Sequence, residues 1–108
     1  MRIEIAKYFS ATPGGRFKDM GPDSGEAFRE RLIKLLRSHP HEIIEIYLDG
    51  AETYGSSFLD EAFGGLVRTK IFPPHEILRR VKIVAKDPLF QIYAREAQDY
   101  MHEAANEI

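Results

Sequence analysis

Residues 54–68 read YGSSFLDEAFGGLVR and carry the most informative pattern of the chain. On a helical wheel of about 100° per residue, the apolar and polar residues of this stretch separate completely. The apolar half consists of Phe58, Leu59, Ala62, Phe63, Leu66 and Val67. The other half consists of Ser57, Asp60, Glu61, Gly64, Gly65 and Arg68. The pattern predicts an amphipathic helix whose apolar half packs on a sheet.

Two glycines, Gly64 and Gly65, lie in the polar half of this helix, where they are expected to face water. Glycine inside a helix costs about 1 kcal/mol relative to alanine. A helix C-cap is one explanation, but Leu66 and Val67 continue the apolar pattern past the glycines. We therefore predict that another molecule lies against this face. The predicted partner-binding residues are Asp60, Glu61, Gly64, Gly65 and Arg68.

Two serines stand where the same helix begins. Serine is a preferred N-cap, so one of Ser56 and Ser57 is expected to cap the helix, which leaves the other hydroxyl available. The unpaired N–H groups and the dipole at a helix N-terminus favour negative charge. Ser56 and Ser57 are therefore candidate phosphoacceptors.

Strand patterns occur before and after this helix. Residues 2–9 alternate in polarity and predict a strand, and a turn at residues 12–15 joins it to residues 16–18 as a hairpin. Apolar residues on both faces of residues 42–48 predict a central strand that is covered on both sides. Residues 81–85 predict a third main strand.

Three main helices are predicted. The first is capped by Asp23 or Ser24, the second is residues 56–68, and the third starts at Asp87 and Pro88. The predicted buried residues of the third helix are Leu89, Ile92, Tyr93, Ala97, Tyr100 and Met101. This order predicts one α/β domain over residues 1–108, with helices on a mixed sheet of about four strands, namely the hairpin and parallel strands.

The composition narrows the class of protein. The chain has 108 residues, is 44% hydrophobic and 30% charged, and has a formal net charge of -2, which gives no basis for binding nucleic acid or an anionic membrane. It has no cysteine and no apolar run of membrane-spanning length. The four histidines follow no metal-ligand spacing. We expect a cytoplasmic protein without a metal or cofactor.

A second candidate site lies at residues 21–26, GPDSGE. Asp23, Ser24 and Gly25 open a helix and are candidates for binding an anion, whereas Glu26 lies three residues after Asp23 as in a capping box. The stretch lacks the Lys-Ser/Thr ending of a P-loop. A serine nucleophile elbow is not predicted at Ser57, because that motif ends in glycine and this chain has Leu59.

The motifs at residues 14–17 (GGRF), 21–29 (GPDSGEAFR) and 54–68 resemble those of the STAS superfamily, which includes the anti-sigma factor antagonists. The likeness is greater to its uncharacterised STAS-like branch. The resemblance implies a STAS-like sandwich. In the antagonists, an Asp-Ser-Ser or Asp-Ser-Thr turn opens a helix, a GHKL-type kinase phosphorylates the serine, and the unmodified form binds its partner through that helix.

This resemblance places Ser56 at the phosphoacceptor position, followed by Ser57. Gly55 stands where antagonists commonly have aspartate, and Asp49 lies farther back. The implied function is a non-enzymatic signalling module, with a GHKL-type kinase or ATPase or a sigma regulator as its protein partner. Self-association into a homodimer is one alternative. Another is a small enzyme or anion-binding domain that uses the loops at residues 21–26 and 55–57.

Overall fold

The computed structural model describes residues 1–107 and confirms an α/β fold. A 3₁₀ turn at Lys18–Met20 and a π-helical turn at Asp60–Gly64 supplement the regular elements. In chain order, those elements are β1 (Arg2–Glu4), α1 (Ile5–Tyr8), α2 (Gly25–Ser38), β2 (Ile44–Tyr47), α3 (Ser56–Leu59), α4 (Gly65–Arg68), α5 (Pro74–Arg80), β3 (Val81–Val84) and α6 (Pro88–Asn106). Since α3, the π turn and α4 are continuous, we call them together helix 56–68.

The sheet has three strands in the order β1-β2-β3, and both pairs are parallel. In the described residues this replaces the mixed sheet of about four strands. The predicted hairpin is absent from residues 1–107, because the chain turns from β1 into α1 and buries Ile5 there. The backbone of residues 14–16 instead forms hydrogen bonds with the backbone around the start of α2.

Only one face of this sheet is buried. Ile44 and Ile46 of β2 are fully buried, whereas Glu45 is exposed and Tyr47 is half-buried. Glu45 lies in register between Arg2 of β1 and Lys82 of β3, so charged side chains cross the opposite face. The prediction that β2 is covered on both sides was therefore wrong. The core lies between the apolar face and the helices.

The last helix begins as predicted. Pro88 is its first residue, and the Asp87 carboxylate accepts a hydrogen bond from the Leu89 N–H at 2.9 Å. Its buried face differs from the predicted one, because Leu89 and Ile92 are 58% and 66% exposed. The residues of α6 that are buried are Phe90, Ala94, Ala97, Met101 and Ala104. Among the described helices, none has both the length and the apolarity needed to cross a membrane.

Candidate functional site

Helix 56–68 begins with two exposed serines. Its N-cap is Gly55, so neither Ser56 nor Ser57 caps the helix, and the expectation that one of them would do so was wrong. Within residues 1–107, the backbone N–H groups of Ser56, Ser57 and Phe58 have no hydrogen-bond partner. Both hydroxyls therefore stand at a helix end that presents three available N–H donors and the positive end of the helix dipole.

Helix α6 lies beside Ser56. The Tyr100 hydroxyl donates to the Glu96 carboxylate at 2.9 Å. This hydrogen bond is the main cause of a raised pKa of Tyr100, burial adds to it, and the neighbouring Ser56 hydroxyl opposes it. The charge of Asp60, one turn after Ser56, raises the same pKa. Ser56 is therefore flanked by a tyrosine and two carboxylates.

The middle of helix 56–68 is wider than an α-helix. Residues Asp60–Gly64 form a π-helical turn, a feature that often occurs at functional sites. All residues from 62 to 67 are buried. Gly64 and Gly65 are among them, so the expectation that they face water was wrong.

A network of three arginines and two carboxylates covers this turn. Arg16 donates to Asp60 at 2.9 Å and to Glu61 at 3.3 Å, and thereby joins the two acids. Arg29 of α2 donates to the carboxylate of Glu61 and, at 3.3 Å, to its carbonyl oxygen. Arg68 donates to the Asp60 carboxylate at 3.0 Å. Three positive and two negative side chains leave one positive charge in excess.

The two glycines make room for this network. A Cβ on Gly65 would come within 2.7 Å of Arg29 Nη1. A Cβ on Gly64 would come within 2.7 Å of Asp60 Oδ1 and 2.8 Å of Arg68 Nη1. The chain's own side chains therefore occupy the space that we expected a partner to fill. A partner can contact the network from outside, and Asp60, Glu61, Gly64, Gly65 and Arg68 stay predictions as binding residues.

Asp60 is at the centre of the network. Burial of its carboxyl opposes ionisation, but the hydrogen bonds from Arg16 and Arg68 outweigh burial and lower the pKa of Asp60. The hydrogen bond that Arg16 donates to Asp60 is also the main cause of a raised pKa of Arg16. The pair is therefore fixed in its charged form at neutral pH.

The second predicted site is occupied by the chain itself. Ser24 is fully buried and caps α2 by accepting from the Ala27 N–H at 3.1 Å. The N–H groups of Gly25 and Glu26 donate to the carbonyl oxygens of Gly15 and Arg16, at 2.9 and 3.0 Å. The predicted anion site at Asp23, Ser24 and Gly25 thus lacks the unpaired N–H donors on which the prediction relied.

The predicted capping box is also absent from this turn, since the Glu26 carboxylate accepts from the Lys18 N–H at 2.8 Å and Ser24, not Asp23, is the cap. Gly25 itself packs against helix 56–68, where an added Cβ would come within 2.6 Å of the Phe58 carbonyl oxygen. The starts of the two helices are therefore in direct contact and leave no space between them for an anion.

Four of the surface hollows lie elsewhere. Four hollows of the described residues run along β3, beside the start of α6 and beside Met1, and neither Ser24 nor Ser56 lines any of these four. Within residues 1–107, no group of three or more His, Asp or Glu side chains is placed to hold a metal ion.

Four residues of the site were missed in the sequence. Arg16 and Arg29 reach Glu61 from 45 and 32 residues away, and no local spacing indicates either contact. Glu96 and Tyr100 are four residues apart on α6, which is the spacing of neighbours on one helix face and was a usable signal.

Asp49, by contrast, has a different position from the aspartate of an Asp-Ser-Ser turn. Its carboxylate accepts from the N–H groups of Lys86 and Asp87, at 3.0 and 2.8 Å, and so joins the end of β2 to the start of α6.

Comparison with protein-family models matches residues 24–88 to the STAS-like domain of unknown function (DUF4325). The matched region includes the start of α2 and the whole of helix 56–68. Comparisons with curated proteins and with solved structures find no match.

Proposed function

This chain belongs to the family of STAS-like domains of unknown function, and we propose that it is a non-enzymatic regulatory module that binds a partner protein at the start of helix 56–68. The binding residues are those we call the Ser56 surface, namely Ser56, Ser57, Asp60, Glu61 and Arg68 of the helix with Glu96 and Tyr100 of α6. The partner is a GHKL-type kinase or ATPase, or a sigma regulator. Gly64 and Gly65 lie beneath this surface, and because they have no side chains the arginines can pack close to the helix.

The exposure of the two serines carries this proposal. Both are exposed, and neither hydroxyl is used to cap the helix. A kinase needs a serine that it can reach, and a binding surface needs polar groups that are available to a partner. The three unpaired N–H groups at the helix start add donors for a carboxylate or phosphate group.

Phosphorylation of Ser56 or Ser57 is the switch that we propose. The γ-phosphoryl group of ATP is transferred to the serine oxygen, ADP leaves, and the hydroxyl proton is released. The phosphate adds about -1.5 to -2 charges. At Ser56 the helix N–H groups favour this charge, whereas Asp60 and Glu96 repel it and Arg16 is attracted to it. The modified surface therefore differs in charge and in the pairing of Arg16, which favours release of the partner.

The alternative of a small enzyme or an anion-binding domain at loops 21–26 and 55–57 is not supported by any of these contacts. Ser24 is buried as a helix cap, and Gly25 packs on the carbonyl oxygen of Phe58. Family membership also favours a binding role, because the resemblance of this family to the anti-sigma factor antagonists implies partner binding.

Phosphorylation is tested with purified GHKL-type kinases of the source cell, ATP and intact-protein mass spectrometry. We expect phosphate on the unaltered chain, and none on the double variant Ser56→Ala, Ser57→Ala. Ser38→Ala is the control, because Ser38 is also exposed but lies at the end of α2. Phosphate on the double variant would contradict the proposed switch.

Partner binding is tested separately with the same purified kinases by isothermal titration. Arg68→Glu reverses a charge on the Ser56 surface, and we expect it to weaken binding by about tenfold or more. Arg37→Glu makes the same change on the exposed side of α2 and should leave the affinity unchanged. Equal affinities for the two variants would show that this surface is not the interface.

A further inference from the structure

The outer edge of β3 has no strand beside it in residues 1–107. β3 ends the order β1-β2-β3, and β2 pairs with its inner side. The Val84 carbonyl oxygen accepts from the Leu48 N–H at 3.1 Å, so the backbone N–H and C=O groups of Val84 point toward the inner side of the sheet. Because backbone groups alternate in direction along a strand, the N–H and C=O groups of Ile83 and Ala85 point outward, away from β2. An open strand edge of this kind is a template for pairing with another chain.

Two glutamines of α6 occupy this edge. Gln98 Nε2 donates to the Ile83 carbonyl oxygen at 2.7 Å, and Gln91 Nε2 donates to that of Ala85 at 3.3 Å. The acceptors are the outward carbonyl groups that the N–H groups of a neighbouring strand would bind. Both glutamines are exposed residues, so their side chains can rotate into solvent when a strand takes their place.

Hollows flank Gln98 on both sides. One has a volume of about 270 Å³ and extends from Leu78 to His102, and the other has about 290 Å³ and extends from Ala85 to Arg95. Gln98, Ile83 and Val84 line both. The hollows therefore form one groove between β3 and α6 that Gln98 bridges, and we call it the β3 groove.

The charged side chains that line the β3 groove are all basic. Lys82 and Arg95 are its charged lining residues, His102 lies at one end, and none of the residues that line the two hollows is acidic. This contrasts with the formal net charge of -2 of the whole chain. An occupant with carboxylate side chains is therefore favoured over a neutral or basic one.

We propose that the β3 groove binds an extended, acidic segment of a partner polypeptide, which adds to the sheet as a fourth strand beside β3. Its backbone would pair with Ile83 and Ala85 in place of Gln98 and Gln91, and its acidic side chains would face Lys82 and Arg95. A second copy of this chain fits less well, because pairing two β3 edges brings Lys82 and Arg95 of each copy toward the other. Gln98 and Tyr100 are separated by about 200° around α6, so this groove and the Ser56 surface lie on opposite sides of that helix.

The probe for this proposal is a short capped peptide in which pairs of valine and pairs of glutamate alternate, so that glutamate lies on both faces of the added strand and can reach Lys82 on one and Arg95 on the other. It is titrated into the full chain and followed by amide NMR. We expect chemical-shift changes centred on residues 81–85 and slower hydrogen exchange of the Ile83 and Ala85 amides. A peptide in which lysine replaces glutamate should bind about tenfold more weakly. No change at Ile83 and Ala85, or equal binding of the two peptides, would overturn the proposal.

Three variants locate the binding. The double variant Lys82→Glu, Arg95→Glu should lose most of the affinity for the acidic peptide, whereas Lys34→Glu, Arg37→Glu, with the same charge change on exposed residues of α2, should retain it. Ala85→Pro removes an outward N–H at the edge of the sheet, where proline is tolerated, and should also weaken binding. Thermal unfolding checks that each variant is folded. Sedimentation that shows dimers with protected β3 amides would assign the groove to a second copy instead.

Discussion

Arg29 lies directly against Gly65, where a Cβ would come within 2.7 Å of its Nη1 atom. The Arg29 side chain is only 14% exposed and is held by both the carboxylate and the carbonyl oxygen of Glu61. Over the neighbouring Gly64 lies Arg68, whose side chain is 38% exposed. The two glycines therefore accept arginines that differ in how freely they can move.

Alanine substitutions should distinguish the two glycines. In Gly64→Ala, the Asp60 carboxylate and Arg68 must both shift, but these side chains are 24% and 38% exposed and can move toward solvent together. The helix-propensity gain of about 1 kcal/mol is therefore expected to offset the lost contacts. In Gly65→Ala, Arg29 must break a half-buried ion pair with Glu61. We expect Gly65→Ala to be less stable than Gly64→Ala by about 1 to 2 kcal/mol. Urea unfolding measures the difference, and equal stabilities would show that Arg29 is not held in place.

The position of Gly25 tolerates a side chain less well than that of Gly64 or Gly65. An added Cβ would come within 2.6 Å of the Phe58 carbonyl oxygen and 3.2 Å of the Ala62 nitrogen, and backbone atoms cannot rotate away. We expect Gly25→Ala to cost about 2 to 3 kcal/mol by forcing α2 away from helix 56–68. Gly14→Ala is the control, because nothing lies within 4 Å of a Cβ there. The prediction fails if both variants unfold at the same urea concentration.

Features that depend on neighbouring residues were predictable from the sequence. The Asp87 cap with Pro88 follows from local chemistry, as does the position of helix 56–68. The N-terminal hairpin was wrong because alternation over a few residues is a weak signal, and burial of Ile5 in α1 overrode it. The glycines of helix 56–68 do lie among polar side chains, but the expectation that they face water was wrong because Arg29, Asp60 and Arg68 cover them.

The candidate site, too, was predictable only where it depends on residues that are neighbours in the sequence. The two serines lie at the exposed helix start because their position depends on the local turn. Arg29 covers Gly65, and Arg16 holds the Asp60 carboxylate that lies over Gly64. Tertiary packing brings both arginines from other segments. An amphipathic pattern identifies which residues face away from the core, but it does not show whether solvent, a partner or the same chain covers them.

Asp49 should make folding sensitive to acid. Burial opposes its ionisation, but the N–H groups of Asp87 and Lys86 outweigh burial and lower the pKa of Asp49. A carboxyl with a lowered folded-state pKa stabilises the fold above its unfolded value of about 3.9, and this stabilisation is lost as the pH falls through the folded-state pKa. Asp49→Asn should cost about 1 to 2 kcal/mol at neutral pH, and this cost should disappear in strong acid.

Urea unfolding over a pH series measures this effect. Asp99→Asn is the matched control, because Asp99 is exposed on α6 and makes no ion pair in the described residues. Its stability should follow that of the unaltered chain at every pH. A cost for Asp49→Asn that persists unchanged in acid would show that the hydrogen bonds to Asp49 do not depend on its charge.

Arg80 joins α2 to the sheet and is only 2% exposed. Its guanidinium donates to the carbonyl oxygens of Leu36 at 2.9 Å and Glu42 at 3.1 Å, and also to that of His39. Removing it leaves acceptors at the end of α2 unpaired and empties a buried space. We expect Arg80→Ala to cost about 3 kcal/mol, whereas Arg79→Ala, at an exposed neighbour, should cost less than about 0.5 kcal/mol.

Arg80→Lys should recover only part of the loss, since an ammonium group cannot reach three separate carbonyl groups as the planar guanidinium does. Full recovery in Arg80→Lys by urea unfolding would mean that the charge at this position, and not the geometry of the guanidinium, holds the end of α2.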